Sequence, residues 1–375
     1  MKRKFRIIVG MLLLAIPLCS NAQIKIAKPG QNSKEAKEEK TEQEKTEKPK
    51  DGLTMPKISG FVQGMYQANL SDKGDLLDNT LRMRRVRLSV DGNLSKTVSY
   101  KIQGDFTRSP MLVDAFIKYK PCREFAIQVG QFKTPFTIES PINPVNLEIF
   151  DYGESVQKLV GYSDVCGVGS LGRDLGIMAT GSLFPVEGEE GYKYSIVDYS
   201  LGVFNGNGAN QLDNNNRKDI VGRLEVHPGL KDLTLSGSYY YGKYNKDEVH
   251  YGIRNRWTAG MQYNDGKFLL RGEYISGATG IKTYHPEDLG YFNSNGYYGV
   301  IGYNFQAGEQ KIMPVLRYEH FTKDASIAKG GTNWYTVGIN YWPLKSVNFK
   351  LDYSLVQKEA GENSHRVVGI LSYKF

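Results

Sequence analysis

The feature that most constrains the fold of this chain is a recurring alternation of apolar and polar residues. In VSYKIQGDFT (98–107), every second residue from Val98 to Phe106 is apolar or glycine, and the residues between them are polar. The segment VNFKLDYSLVQK (347–358) has the same pattern. Because successive side chains of a strand point to opposite faces, each segment predicts a β-strand with one apolar and one polar face.

Segments of this kind recur about every 20 residues, which suits strands of about 9–11 residues with connections. We predict sixteen of them, at residues 57–69, 81–93, 98–107, 112–120, 125–132, 172–184, 194–205, 218–227, 232–243, 254–264, 267–278, 296–306, 311–322, 333–343, 347–358 and 365–375. Tight turns such as KPCR (120–123) alternate with longer polar loops such as 205–217. This organisation predicts an all-β fold, a transmembrane antiparallel β-barrel of about sixteen strands at residues 54–375.

The composition of the apolar faces favours a membrane barrel over a soluble β-sandwich. Trp257, Tyr263, Tyr335 and Tyr341 stand towards strand ends, where aromatic girdles meet the two interfaces of a bilayer. A closed barrel leaves no unpaired backbone edge in lipid, and no long apolar helix follows the N-terminus. The chain is therefore expected to contact outer-membrane lipid.

The N-terminus has the pattern of a secretory signal peptide at residues 1–22. The basic MKRKFR precedes the apolar run IIVGMLLLAIPL, and Ser20-Asn21-Ala22 provides small residues for cleavage. Removing this segment lowers the formal net charge from +8 to +4, since four basic residues leave with it. So small an excess on an exported chain argues against nucleic-acid binding.

Residues 23–53 differ from the rest of the chain because they are rich in lysine and glutamate and nearly free of large apolar residues. The run QNSKEAKEEKTEQEKTEKPKDG (31–52) has no face to bury, so we interpret it as a disordered, charged periplasmic tether. Oligomerisation or a cell-wall contact is the alternative for this region.

The last eleven residues, HRVVGILSYKF, place Tyr373 and the terminal Phe375 on the apolar face of the final strand. A C-terminal aromatic residue preceded by alternating apolar residues resembles the signal that the barrel-assembly machinery recognises. We expect that machinery to be a partner, with Tyr373 and Phe375 as the assembly signal.

Several blocks, in order, resemble the phosphate-selective porin O and P family of bacterial outer-membrane porins. They include RRVRLSVDGNLSKTVSYKIQGDF (84–106), VGQFKTPF (129–136) and GVFNGNG (202–208). The resemblance implies a sixteen-stranded channel in the Gram-negative outer membrane, usually a homotrimer, that passes small anionic or polar solutes. A periplasmic N-terminal extension is also familiar in the family.

The polar faces of the strands give the candidates for pore-lining and anion-binding side chains. Rings of Arg and Lys favour anions, and the planar fork of Arg suits phosphate oxygens. The candidates are Arg85, Arg87, Lys101, Lys118, Lys120, Arg223, Arg256, Arg271, Arg317, Lys350 and Arg366. Four of them have an acid two residues further on, so the alternative is that such pairs only cross-link the inner wall.

The arginine cluster in LRMRRVRLSVDG (81–92) divides by strand parity. If Val86 and its alternate neighbours face lipid, Arg85 and Arg87 face the lumen, and Arg82 and Arg84 face outward. We expect the outward pair to anchor the barrel rim at the level of the lipid headgroups.

A long loop at about residues 133–171 stands where porins insert a constriction loop. Its acids outnumber its cations, which argues against a strongly phosphate-specific eyelet. The predicted function is passive diffusion with a moderate, phosphate-like anion preference. A general porin without phosphate specificity, or a non-channel surface receptor or scaffold, stays open. We predict no enzyme, cofactor or metal site, since the five histidines have no ligand spacing.

Overall fold

The computed structural model describes residues 52–167, 171–245, 251–282 and 289–375. The predicted signal peptide and all but the last two residues of the predicted tether lie outside these residues. The described chain forms one antiparallel sheet with two short helices. The elements are β1 (Lys57–Ser71), β2 (Leu76–Asn93), β3 (Val98–Asp105), β4 (Leu112–Tyr119), β5 (Ala126–Lys133), a 3₁₀ turn (Pro144–Asn146), α1 (Glu154–Leu159), β6 (Arg173–Gly188), β7 (Gly191–Phe204), β8 (Asp219–Val226), β9 (Leu233–Tyr241), β10 (Lys243–Asn245), β11 (Tyr251–Asn264), β12 (Phe268–Lys282), β13 (Leu289–Tyr303), β14 (Phe305–Ala307), β15 (Gln310–Thr322), β16 (Gly331–Leu344), β17 (Val347–Lys358) and β18 (Ser364–Lys374).

The sheet closes into a barrel because β1 pairs with both β2 and β18. The short β10 continues β9 past Gly242, and β14 continues β13 past Asn304, so each pair counts as one strand crossing the barrel. The described residues therefore form sixteen antiparallel strands, which confirms the predicted fold class. Closure leaves the sheet with no first or last strand, since each strand has a neighbour on both sides, although β2 pairs with β3 only from Arg87 to Asn93.

Strand β17 shows how the alternation is used. Its residues Phe349, Leu351 and Tyr353 are 42–54% exposed on the outer face, whereas Lys350 and Asp352 are at most 3% exposed. A soluble protein would bury the apolar set and expose the charges. The inverted pattern is the arrangement that a lipid-facing barrel requires.

Aromatic rings form a continuous row on the outer face of β11 to β16. The ring centroids of Trp257 and Tyr274 are 5.3 Å apart, and the row continues through Tyr297, Tyr318 and Tyr335. A second set of rings, among them Tyr263, Tyr303 and Tyr341, stands six residues along the same strands, about 20 Å away at the rise of a strand. The two sets bracket the apolar band of the wall.

The two ends of the barrel differ. At one end, which we call the terminal end, short turns connect the strands and the chain terminus is tied down: Phe375 N–H donates to Gly60 O (3.0 Å), and Gly60 N–H donates to Phe375 O (2.9 Å). Tyr373 and Phe375 lie exposed on the outer face there. The longer loops lie at the other end, the loop end. No helix within the described residues is long and apolar enough to cross a membrane.

The connection between β5 and β6 enters the barrel. The described part of this inserted segment, residues 134–167 and 171–172, includes the 3₁₀ turn and α1. It presses apolar side chains against inward-facing side chains of the wall, so the barrel contains a small hydrophobic core along one side. The core includes Phe136, Leu147, Ile149, Tyr152, Val156 and Leu159 of the segment and Val221, Tyr240, Ile275, Tyr298, Val300 and Phe321 of the wall.

Candidate pore constriction

Carboxylates of the inserted segment bind arginines of the wall. Glu139 pairs with Arg317 and lies 3.5 Å from Nη2 of Arg271. Its Oε2 also accepts the N–H of Gly153 (2.8 Å). The side chains of Glu139 and Arg317 are both 0% exposed. A buried ion pair is stable only when hydrogen bonds also satisfy both charges.

Further contacts fasten both ends of the segment. Asp164 receives two hydrogen bonds from Arg256, at 2.6 and 2.7 Å. Glu148 pairs with Arg271. Lys350 donates to Leu147 O and, at 3.2 Å, to Ile149 O. The inserted segment is thus held against the wall by charge as well as by apolar packing.

These contacts correct part of the pore-lining prediction. Five of the predicted cations lie on the inner face, as strand parity requires, but the inserted segment covers them. They are Arg223, which donates to Thr137 O (2.8 Å), together with Arg256, Arg271, Arg317 and Lys350. They do not line the open lumen, because the segment packs between them and the channel. Of the four expected i,i+2 pairs, Arg223–Glu225 and Arg317–Glu319 form ion pairs.

The same contacts change the charge of the constriction. The predicted acidic excess of the segment rested on five carboxylates, and four of them, Glu139, Glu148, Asp151 and Asp164, are neutralised by wall arginines. Asp151 lies on the segment, outside the strands that cross the membrane. Burial alone would raise the pKa of Asp151, but Arg84 and Arg85 outweigh it and lower that pKa, so the carboxylate stays ionised.

Gly153 stands where the segment passes closest to the wall. A Cβ at this position would lie within 2 Å of Nη2 of Arg317 and 2.9 Å from Oε2 of Glu319. The neighbouring Glu154 N–H donates to that same Oε2 at 2.6 Å. Only glycine allows the backbone to approach the buried arginine this closely.

Arg82 and Arg84 were predicted to face outward at the rim, and the structure shows that this is wrong. β1 and β2 are in register at Gln63–Arg85 and again at Gly64–Met83, so a β-bulge leaves Arg84 without a pairing residue. Arg84 turns inward and forms an ion pair with Asp151 (2.7 Å). Beyond the bulge, Arg82 lies opposite Met65, whose side chain is buried inside the barrel, so Arg82 shares the inner face.

A cluster of cations faces the inserted segment from β2 to β6. Arg87 and Arg108 share Asp105, at 2.9 and 3.6 Å, and Arg173 holds Asp114 through two hydrogen bonds. With Arg84, Arg85, Arg87, Arg108 and Arg173, this eyelet cluster has five arginines against the three carboxylates Asp105, Asp114 and Asp151.

Within the eyelet cluster, the positive charge of Arg85 is the least compensated by hydrogen-bond acceptors. Nε and Nη1 of Arg85 are buried and have no hydrogen-bond acceptor among the described residues. The Arg108 side chain is 34% exposed, the most open of the arginines in the cluster that form ion pairs. The net positive charge of the cluster is therefore open to the lumen beside Arg108.

Arg108 and Arg173 were not predicted from the sequence. Arg108 lies in the connection after β3, where no alternation sets the facing of a side chain. Arg173 is the first residue of β6, and strand parity would group it with the outward Leu175. Only the ion pair with Asp114 turns it inward.

Below the eyelet cluster, the predicted cations Lys101 and Lys118 border a cavity of about 630 Å³ together with Lys57 and Asp91. Lys120 is exposed in the turn after β4. Arg366 of β18 is half-buried, with its guanidinium 4.7 Å from the Phe150 ring, on which Arg84 also packs at 5.8 Å. Lys101, Lys118 and Lys120, unlike the five cations covered by the segment, remain near open space.

A comparison with protein families decides the identity of the chain. The family described as phosphate-selective porin O and P matches residues 57–267. The chain belongs to this porin family. The match includes β1 to β11 and the inserted segment, so it covers the eyelet cluster, whereas Arg271, Arg317 and Lys350, which also hold the segment, lie beyond it.

Solved structures show the same barrel. The anion-selective porin from Comamonas acidovorans superposes with a TM-score of 0.63 at 15% identity, covering 86% of this porin and 99% of that chain. The outer membrane channel DcaP of Acinetobacter baumannii gives 0.57 at 12% identity, covering 85% and 97%. OmpT of Vibrio cholerae in its trimer form gives 0.55 at 11% identity, covering 86% and 100%. No curated protein sequence matches this porin.

Proposed function

We propose that this outer-membrane porin passes small anions in preference to cations, and that the eyelet cluster sets the preference. The observation that carries the proposal is the imbalance of five arginines against three carboxylates beside the inserted segment. Uncompensated Arg and Lys at a constriction favour anions because a narrow lumen with low-dielectric walls focuses their field.

The proposal extends to the terminal mouth of the lumen. Lys57, Lys101 and Lys118 border the cavity below the cluster, with Asp91 as the one acid that lines it. An anion leaving the constriction therefore meets further cations. Chloride, phosphate and small carboxylates all suit such a path, and we propose a moderate preference without one tight phosphate site. The anion-selective porin from Comamonas acidovorans shares the fold and supports the reading.

Planar-bilayer recording tests the function. With the mature protein in a tenfold KCl gradient, we expect a reversal potential of the sign that denotes chloride permeation. Replacing both Arg85→Gln and Arg108→Gln should move it towards zero. A protein that does not conduct would refute the channel, and cation-selective conductance would refute the anion preference.

The assembly and export of the porin are part of the same proposal. We propose a homotrimer, which the trimer form of OmpT supports. A cleaved signal at residues 1–22 and an assembly signal at Tyr373 and Phe375 are proposed for delivery to the outer membrane. Mass spectrometry of the intact protein from the outer membrane tests cleavage, and chemical cross-linking there tests the trimer.

A further inference from the structure

The hairpin of β6 and β7 extends beyond the barrel wall at the terminal end. Pairing of β6 with β5 stops at Thr180, and pairing of β7 with β8 stops at Val197. The two strands continue to pair with each other down to Gly188 and Gly191. From the alternation alone, we predicted that the first strand of this hairpin ends at residue 184 and that the second begins at residue 194. The hairpin therefore forms a two-stranded projection, residues 184–195, that reaches about 15 Å past its neighbours; we call it the β6–β7 ribbon.

The root of the β6–β7 ribbon is fixed on both sides. Ser182 N–H donates to Arg123 O (3.1 Å), and His227 N–H donates to Ile196 O (2.8 Å). The guanidinium carbon of Arg123 also lies 4.0 Å from the centre of the Tyr192 ring. The ribbon therefore projects in a set direction into the periplasm, the compartment that porins assign to the end with short turns.

Beyond its root, the ribbon has two strand edges to which no other described strand pairs. On β6, Pro185 removes a backbone donor, which protects that edge against further pairing. On β7, Tyr192–Tyr194 contains no proline and Tyr192 is 49% exposed, whereas Ser195 is buried at 2%. An unprotected edge of this kind accepts an extended segment as an added strand.

The charges and the exposed apolar side chain of the β6–β7 ribbon determine which peptide sequence would pair with its edge. Glu187, Glu189 and Glu190 lie at its tip, with Lys193 as the one cation between residues 184 and 195. Phe184 is 63% exposed on its surface. A matching strand would alternate apolar residues with lysine.

The chain itself contains such a segment, outside the described residues. QIKIAK, residues 23–28, alternates Ile24 and Ile26 with Lys25 and ends in Lys28. The described chain begins beside the β2–β3 turn, where Thr54 N–H donates to Asn93 O (3.0 Å). The β6–β7 hairpin is four strands further round the barrel, about 20 Å at the spacing of a sheet. A random-coil chain of 23 residues, the length of residues 29–51, spans about 26 Å on average, so the distance suits the segment.

We propose that residues 23–28 bind the open edge of β7 at Tyr192–Tyr194 as an added strand. Main-chain hydrogen bonds would supply affinity, and Lys25 and Lys28 would meet the glutamates of the tip.

Hydrogen exchange of the folded mature protein in nanodiscs tests the proposal. In the full mature chain, the edge amides of Tyr192–Tyr194 should exchange at least tenfold more slowly than in a variant that begins at Asp51. A matched variant that lacks only residues 41–48 keeps residues 23–28 and should retain the protection. Equal exchange in the full and truncated chains would overturn the proposal, as would protection that survives Ile24→Asp with Ile26→Asp.

A proximity measurement gives an independent result. The cysteines introduced by Ile26→Cys and Lys193→Cys should form a disulfide, identified by mass spectrometry, at several times the yield of the pair Lys40→Cys and Lys193→Cys. Equal yields from the two pairs would show that residue 26 meets the ribbon only by random encounter, and the proposal would fail.

Discussion

Arg256 and Asp164 form a two-point ion pair between β11 and the inserted segment. Nη1 lies 2.6 Å from Oδ2, and Nη2 lies 2.7 Å from Oδ1, with both side chains at most 1% exposed. Nη1 of Arg256 also donates to Leu159 O (2.6 Å) at the end of α1. A single wall residue therefore fixes both the end of the helix and the returning chain.

Replacing Arg256→Ala should loosen the constriction. Removing one partner of a buried pair costs about 3–5 kcal/mol, because the other charge is left uncompensated. We expect the inserted segment to detach locally, which would raise single-channel conductance and admit larger solutes in liposome swelling. The double substitution Arg256→Met with Asp164→Leu removes both charges and should restore wild-type conductance. Unchanged conductance in Arg256→Ala would contradict the clamp.

Replacing Asp151→Asn should strengthen the anion preference. The substitution keeps the size of the side chain and removes one of the three carboxylates of the eyelet cluster, beside Arg84 and Arg85. One charge near a wet lumen is worth about 0.5 kcal/mol, or about twofold in the anion-to-cation permeability ratio. The reversal potential in a KCl gradient measures this ratio. A shift towards cations would contradict the assignment. Glu309→Gln, in the turn between β14 and β15 at the terminal end, serves as the control and should leave the ratio unchanged.

Gly153→Ala should destabilise the segment, because its methyl group would collide with the buried guanidinium of Arg317. Overpacking of this kind costs about 1–3 kcal/mol. The loss should appear as a lower unfolding temperature of the folded barrel on gels and as noisier single-channel currents. Gly299→Ala is a matched control, since a Cβ at Gly299 meets nothing within 4 Å. Equal effects of the two substitutions would contradict the close approach.

Phe375→Ala should reduce the amount of folded porin in the outer membrane. Phe375 lies on the exposed apolar face at the end of the final strand, where the proposed assembly signal needs an aromatic ring. Tyr353→Ala, which removes an outward ring of similar exposure from β17, controls for the general loss of an aromatic residue. The heat-modifiable fraction in membrane preparations measures folding. Equal yields for the two variants would contradict the signal.

Strand alternation made the barrel predictable because it is a local property. The facing of Lys350 and Leu351 follows from the pleat alone, and the structure places them on the inner and outer faces as the pattern predicts. The number of strands, sixteen, and the inward orientation of Arg85 and Arg87 follow from the same alternation. Local pattern could not predict how far β6 and β7 continue past the wall, since a projecting ribbon and a loop have similar polar sequences.

The sequence by itself determined the closed barrel, its inside-out faces and its resemblance to a porin family. Tertiary structure decided which charges remain open to the lumen. Asp164 lies 92 residues from Arg256, and Glu139 lies 178 residues from Arg317, so no local pattern relates them. One bulge at Arg84 reversed the parity that had placed it at the rim. An ion pair depends on where two distant backbones meet, whereas the facing of a strand residue depends only on its neighbours.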